Sequence, residues 1–438
     1  MKIQYSLIAA AALLAGATTA FAAPAAGRIA ISSGASAVKG NFGLGLQNLC
    51  TAAGGVFTQF DSGSNVSTYV CANSAVTAGG AGTYASKVDA DFVNFSGTGF
   101  AEVRLNVSNG SFTSVCLIQP GGWPTSGTAC PAPDNYLNPA TNTVVAKPAG
   151  SVAVGGVLDV EPGAWPSTVT AGLSVPAGTP LNVAQAFGLG VSSSLYTKLF
   201  NAQLSSGSAT VSKPIPSTCA VADTSKLECI PTVSKAQMAT IMAGDEFNAA
   251  GSNGVGFLTG DAAQNGQTLI YARRVDTSGT QAAAQVYFLG LPCMTNPNPI
   301  AAGGTIAGAI DIRNLGSTGN VRTVLNGAGD AIGIMSGENN QAESWRWVKV
   351  GGAALGENAA PASAGITNSA TMLNGQYDFW FETTYVSSGL AGADTFWAQL
   401  STGLNTLAAP VGLINAAQLA APGNFKKNGK TCQLGVGN

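Results

Sequence analysis

Histidine is absent from all 438 residues of this chain. With it go Ser-His-Asp and Cys-His nucleophiles, histidine general bases and His-ligated zinc. Charge is scarce as well: Asp, Glu, Lys and Arg together make up 9% of the sequence, against about 25% in ordinary domains. The 19 basic and 21 acidic residues leave a formal net charge of −2. Neither sign forms a run, so nothing attracts nucleic acid or an anionic membrane over long range. No apolar stretch approaches the roughly 20 residues that a membrane-spanning helix needs. The eight cysteines include no CxxC pair, which removes the usual zinc spacing.

What is present begins with an export signal. Lys2, the apolar run Leu7 to Leu14 and the small residues ending Ala20-Phe21-Ala22 follow the order of a cleavable signal peptide over residues 1–22. A mature chain from about Ala23 is expected in the periplasm or outside the cell, without a lipid anchor, since no cysteine follows the cleavage site. Hydrophobic residues make up 46% of the sequence, enough for a sizeable core and too many for a disordered chain. The 57 glycines, spread among Ser, Thr and Asn, predict tight turns between short strands. An even number of cysteines in an exported protein points to disulfides. Spacing favours Cys50–Cys71, Cys116–Cys130 and Cys219–Cys229, which leaves Cys293–Cys432; this is one choice among many possible pairings.

Short apolar strands alternate with capped helices, the pattern of a mixed sheet with helices packed on it. Ser234-Lys-Ala-Gln237 predicts a capping box for a helix that stops at Gly244, and Ser278-Gly-Thr-Gln281 a second for a helix ending near Gly290. Arg28-Ile-Ala-Ile-Ser-Ser-Gly-Ala-Ser-Ala-Val reads as a strand, a turn and a helix to about Leu49. Residues 187–201 read as a strand followed by a short helix, and residues 331–338 as a further strand. Phe396, Trp397, Leu400 and Leu404 stand at helical spacing and predict a docked amphipathic helix. Trp345 and Trp347, either side of Arg346, are expected in packing and not as a ligand platform.

The strongest chemical signal is Arg274-Val-Asp-Thr-Ser278-Gly279-Thr280 at a predicted strand-to-helix junction. Free backbone N–H groups, two hydroxyls, a glycine that lets the backbone approach and a forked guanidinium are the parts of an oxyanion site. The alternative is a capped helix beside a surface arginine. The turn Ser32-Ser-Gly34-Ala35-Ser36 offers a second cradle by the same physics. Asp159 stands at the end of an apolar strand that Pro162 stops. A carboxylate there accepts the proton of a monohydrogen phosphate and repels a fully deprotonated anion such as sulfate. Otherwise Asp159 caps the next turn, or forms with Glu161 the carboxylate pair of a glycosidase.

These blocks resemble the substrate-binding proteins of phosphate ABC importers. Ile31-Ser-Ser-Gly-Ala-Ser36 is similar to that family's first anion turn, and Gly155-Gly-Val-Leu-Asp159 to its carboxylate strand. Arg274-x-x-x-Ser278-Gly279-Thr280 is similar to its Arg-x-x-x-Ser-Gly-Thr block, and Ala331-Ile-Gly-Ile334 to the strand returning to the first lobe. The resemblance implies an α/β, two-lobed type 2 periplasmic binding protein fold with mixed sheets and a hinge of two crossing strands. Residues 23–186 and 337–438 would form the first lobe and residues 187–336 the second. It implies phosphate or a related oxyanion as ligand, held by Gly34, Ala35, Ser36, Asp159, Arg274, Ser278, Gly279 and Thr280. A further serine would join them, Ser111 or Ser96. An ABC transporter permease would be the partner, and neither catalysis nor a cofactor is implied. The long cysteine-rich region from Cys50 to Cys130 departs from the family. That leaves a second expectation, an exported surface or matrix protein that keeps the fold without a ligand.

Overall fold

The computed structural model describes residues 29–62, 66–72, 92–96, 135–138, 143–146, 152–166, 169, 178–204, 214–244, 254–293, 304–306, 309–339, 343–355, 370–387, 393–407, 412–415, 418–419, 421–423, 425–427 and 436–437. The signal segment, Ser111, Cys116, Cys130 and Cys432 lie outside these residues.

The strands, in chain order, open with β1 (Ile29–Gly34), β2 (Val56–Ser62), β3 (Val66–Ala72), β4 (Phe92–Ser96), β5 (Asn135–Asn138) and β6 (Thr143–Ala146). The central ones are β7 (Val152–Leu158), β8 (Thr179–Val191), β9 (Thr232–Val233), β10 (Leu269–Arg274), β11 (Gly304–Ile306) and β12 (Ile310–Leu315). Last come β13 (Asp330–Ser336), β14 (Arg346–Val350), β15 (Trp380–Ser387), β16 (Leu413–Asn415), β17 (Phe425–Lys426) and β18 (Val436–Gly437). An open sheet runs β11-β12-β10-β13-β8-β15-β7-β1-β4-β3-β2, with β14 and β16 also on β8, and β9 on β14. It is mixed: β1 is parallel to β4 and β7, and β10 to β12 and β13, while β8 is antiparallel to β13, β14, β15 and β16. The architecture is therefore α/β, a mixed and unclosed sheet with flanking helices.

One strand joins the two halves of this sheet. The first part of β8, up to Ala186, pairs with β15 and β16; from Phe187 to Val191 it pairs with β13 and β14. At the changeover Tyr377 Oη donates to the Phe187 carbonyl at 2.5 Å, and the Phe187 and Ala186 amides donate to Phe379 and Gly412.

The glycines that weaken the first helix by propensity explain its packing. The helix Lys39–Ala52 forms all the same; a Cβ on Gly43 would come within 2.6 Å of the Tyr69 ring, and one on Gly45 within 3.1 Å of Leu404. Cys50–Cys71 ties this helix to β3. Against it lies the helix Ala393–Asn405, whose Phe396, Trp397, Leu400 and Leu404 are buried together as the spacing predicts. Burying such side chains contributes roughly 1.5–3 kcal/mol each. A larger core surrounds β8, β10 and β13. There Trp345 and Trp347 meet edge-to-face at 4.9 Å and are buried, as expected of packing. Cys219–Cys229 forms as its spacing suggests; Cys293 is also disulfide-bonded.

The first capping box is present in full. Ser234 Oγ accepts from Gln237 N, Gln237 Oε1 accepts from Ser234 N, and Gly244 ends the helix Lys235–Ala243 with φ 77°. Ser234→Ala is expected to lower stability by about 1 kcal/mol, measured as a shift in urea midpoint at constant slope; an unchanged midpoint would mean the cap is redundant. The second box does not form. Ser278 is the N-cap but makes no capping bond, and Gln281 Oε1 instead accepts from Arg274 N at 3.3 Å. The buried Gln281 is drawn to the strand end, which outweighs the local bond. The helix Gly279–Ala284 then widens into a π-turn, Gln285–Leu289, closed by Gly290 at φ 70°.

Candidate functional site

β7 runs between β1 and β15, so its end lies at the middle of one half-sheet. Val157 and Leu158 are fully buried, and Pro162 opens the 3-10 turn Pro162–Ala164 that follows. This carries Asp159 to the strand end, 3% exposed, with no hydrogen-bond partner for Oδ1 among the described residues. Glu161, two residues on, is the N-cap of that turn.

The end of β1 lies beside it. Gly34 has φ 131°, and a Cβ there would stand 1.8 Å from the Val157 carbonyl oxygen. Only glycine fits this approach. The Ala35 amide then donates to that carbonyl at 2.8 Å, and Ser36 opens the 3-10 turn leading into the helix Lys39–Ala52. The Gly34-Ala35-Ser36 turn is therefore held against the strand that ends in Asp159. Ser32 Oγ, on β1, is buried without a partner among the described residues. Ser96, the last residue of β4, pairs in register with Ser33.

From the other half of the sheet comes the end of β10. Arg274 is 8% exposed; its Nε donates to the Leu315 carbonyl, one terminal nitrogen to Thr318 Oγ1 at 2.7 Å and the other to the Gly316 carbonyl. Three of its five N–H groups are thus used within the described residues, and two remain. Arg273 turns away, paired with Asp276. The chain then turns through Val275–Ser278 into Gly279, where a Cβ would stand 2.4 Å from Asp159 Oδ2 and 2.9 Å from its Cγ. Ser278 and Thr280, on either side, are 7% and 3% exposed. Gly279 and Asp159 thus meet between the two halves of the sheet, with Arg274 within electrostatic reach of Asp159.

A carboxylate outside the sequence-based set completes the group. Glu338 follows β13 and is partly buried; Ser336 Oγ donates to Oε1 at 2.5 Å and Gln185 Nε2 to Oε2 at 3.3 Å. Burial pushes Asp159 up to about 7, the negative charge of Glu338 pushes the same way, and Arg274 opposes both. Burial likewise raises Glu338 to about 7, against the donors Ser336 and Gln185 and the charge of Arg274. Desolvation lowers Arg274 to about 10, which still leaves it a cation at neutral pH. The group thus sets one cation beside two acids that are held well above the usual carboxylate range and so can accept or donate a proton near neutral pH. No cluster of metal-ligating side chains and no helix able to cross a membrane occurs among the described residues.

No protein-family model matches the chain, and no curated protein matches it. Among solved structures it has a distant likeness to the crystal structure of an ABC-type phosphate transport receptor from Vibrio cholerae. That likeness has 15% identity and a TM-score of 0.29, covering 56% of this chain and 72% of that one. A likeness this distant carries no weight for what this chain binds.

Proposed function

We propose that this chain is an exported solute-binding protein that holds a small protonated oxyanion, phosphate, between the halves of its sheet. The observation that carries this reading is the buried Asp159, its Oδ1 unpartnered, against Gly279 and within electrostatic reach of Arg274. Arg274, Ser278, Gly279 and Thr280 supply donors to the anion, as do the Gly34-Ala35-Ser36 turn and Ser111. Asp159 accepts its proton. The lobes are residues 23–186 with 337–438, and residues 187–336; ligand closes one on the other, and a permease of an ABC importer receives it.

The test is isothermal titration of mature, oxidised protein, stripped of co-purified ligand, with phosphate and sulfate. Phosphate is expected to saturate the site, and Arg274→Ala to weaken it roughly ten- to hundredfold, the worth of hydrogen bonds to a charged donor. Ionised Asp159 excludes sulfate; protonated, it donates. Wild-type binding of sulfate is therefore expected to emerge as pH falls through about 7, and Asp159→Asn to bind it at neutral pH. No heat with either anion at any pH would reject the reading.

A specific observation favours a second reading. Three of the Arg274 donors already hold the 315–318 turn, as they would in an exported surface protein that keeps this fold without a ligand. In that case Arg274→Ala would lower stability and change no titration.

A further inference from the structure

Glu338 occupies the crossover between the two halves of the sheet. Ser336 ends β13, the Gly337 amide donates to the Ala186 carbonyl of β8, and Gly412 packs so closely that a Cβ on it would stand 2.4 Å from the Glu338 amide nitrogen. Gln185 Nε2, which donates to Glu338, donates also to the Ala186 and Gly412 carbonyls at 2.9 and 3.1 Å. Its own Oε1 is buried without a partner among the described residues. The carboxylate is therefore bonded from its own segment and from β8, while Gly412 packs against the Glu338 backbone.

Several groups face it. Its own segment supplies Ser336 and Asn339 and β8 supplies Gln185, while Asp159, just after β7, and Arg274, at the end of β10, act within electrostatic reach of it. Among the described residues, the charged groups acting on it are Arg274 and, through their mutual repulsion, Asp159. One cation thus faces two carboxylates before any ligand enters. A monohydrogen phosphate dianion adds two further negative charges, and buried like charges that lack counter-charges are costly. A second proton relieves this most simply.

We propose that Glu338 makes anion binding proton-coupled: the complex holds two protons among phosphate, Asp159 and Glu338, so a monohydrogen phosphate dianion enters together with one proton taken up from solvent. Asp159 alone would require one proton, the ligand's own. Glu338 adds the second, acting as a positioning and specificity-determining residue through the field it sets at Asp159. The inference rests on the oxyanion reading above.

The experiment is calorimetry of phosphate binding near pH 8 in buffers of unlike ionisation heat. Wild type is expected to take up about one proton per phosphate and to lose affinity about tenfold for each further pH unit. Glu338→Gln is expected to bind phosphate with almost no proton uptake and a nearly flat pH profile. Carboxyl-carbon NMR of the wild type supplies a reading that does not depend on the variant folding. The Glu338 midpoint is expected to rise by about one unit or more on saturation with phosphate. If phosphate binds with a buffer-independent heat and an unmoved Glu338 midpoint, the inference fails and the oxyanion reading stands. Uptake that Glu338→Gln leaves unchanged overturns it equally. If phosphate does not bind wild type at any pH, both fall together.

Discussion

The ligand-free protein is expected to be least stable near neutral pH, and to gain stability on either side. Asp159 and Glu338 rise from 3.8 and 4.5 to about 7 on folding. The folded state therefore binds more protons than the unfolded chain between about pH 4 and 7. Their contribution is complete below the unfolded values and is lost as pH rises through about 7. Lys427 titrates in the opposite sense. It is 6% exposed, its Nζ donates to the Asp378 and Trp380 carbonyls at 3.0 and 2.5 Å, and it lies over the Trp380 and Phe381 rings. Burial lowers it from 10.5 to about 7, with the nearby Lys235 adding to this and Asp378 and Glu382 opposing it. Its contribution is complete above the unfolded value and is lost as pH falls through about 7. Each limb is on the order of a few kcal/mol. Urea unfolding at about pH 5, 7 and 9 checks this. Asp159→Asn should flatten the acid limb and Lys427→Met the alkaline one. A wild-type maximum at neutrality would refute the assignment of all three groups.

Two glycine substitutions at the same site should have unlike consequences. Gly34→Ala places a Cβ 1.8 Å from the Val157 carbonyl oxygen, at φ 131°, where a side chain is strained whatever the space. Backbone would have to move against backbone, and the loss is expected to be about 3 kcal/mol or more, combining overpacking with dihedral strain. Gly279→Ala places its Cβ 2.4 Å from Asp159 Oδ2, the end of a side chain. The carboxylate can be displaced, so about 1–3 kcal/mol is lost while the geometry that accepts the ligand's proton is destroyed. Denaturation should rank Gly34→Ala as the worse fold. Phosphate titration of folded Gly279→Ala should show no binding. If Gly279→Ala binds phosphate like wild type, Asp159 is not at the ligand.

What the sequence discloses, and what it hides, follows from the range of the interactions. The Ser234 box closes within four residues, and the Phe396, Trp397, Leu400 and Leu404 stripe within three turns; both are legible. So is Asp159 as a strand-end acid, and the mixed sheet from alternating strands and helices. Ser278 misleads because its Gln281 partner is claimed by Arg274 N, a contact that depends on where β10 ends. Glu338 is missed although its local signature matches that of Asp159, an acid just after an apolar strand in a chain with 9% charged residues. Its importance comes from Asp159 and Arg274, which reach it from elsewhere in the fold. Sequence spacing cannot show that.

The shared strand β8 ties the two half-sheets into one run of backbone. One half-sheet ends on its first residues and the other on its last, so cutting the chain between them leaves each piece with an open row of backbone donors and acceptors. The ribbon is continuous through Ala186 and Phe187 and is anchored there by Tyr377, so the two half-sheets share one backbone constraint.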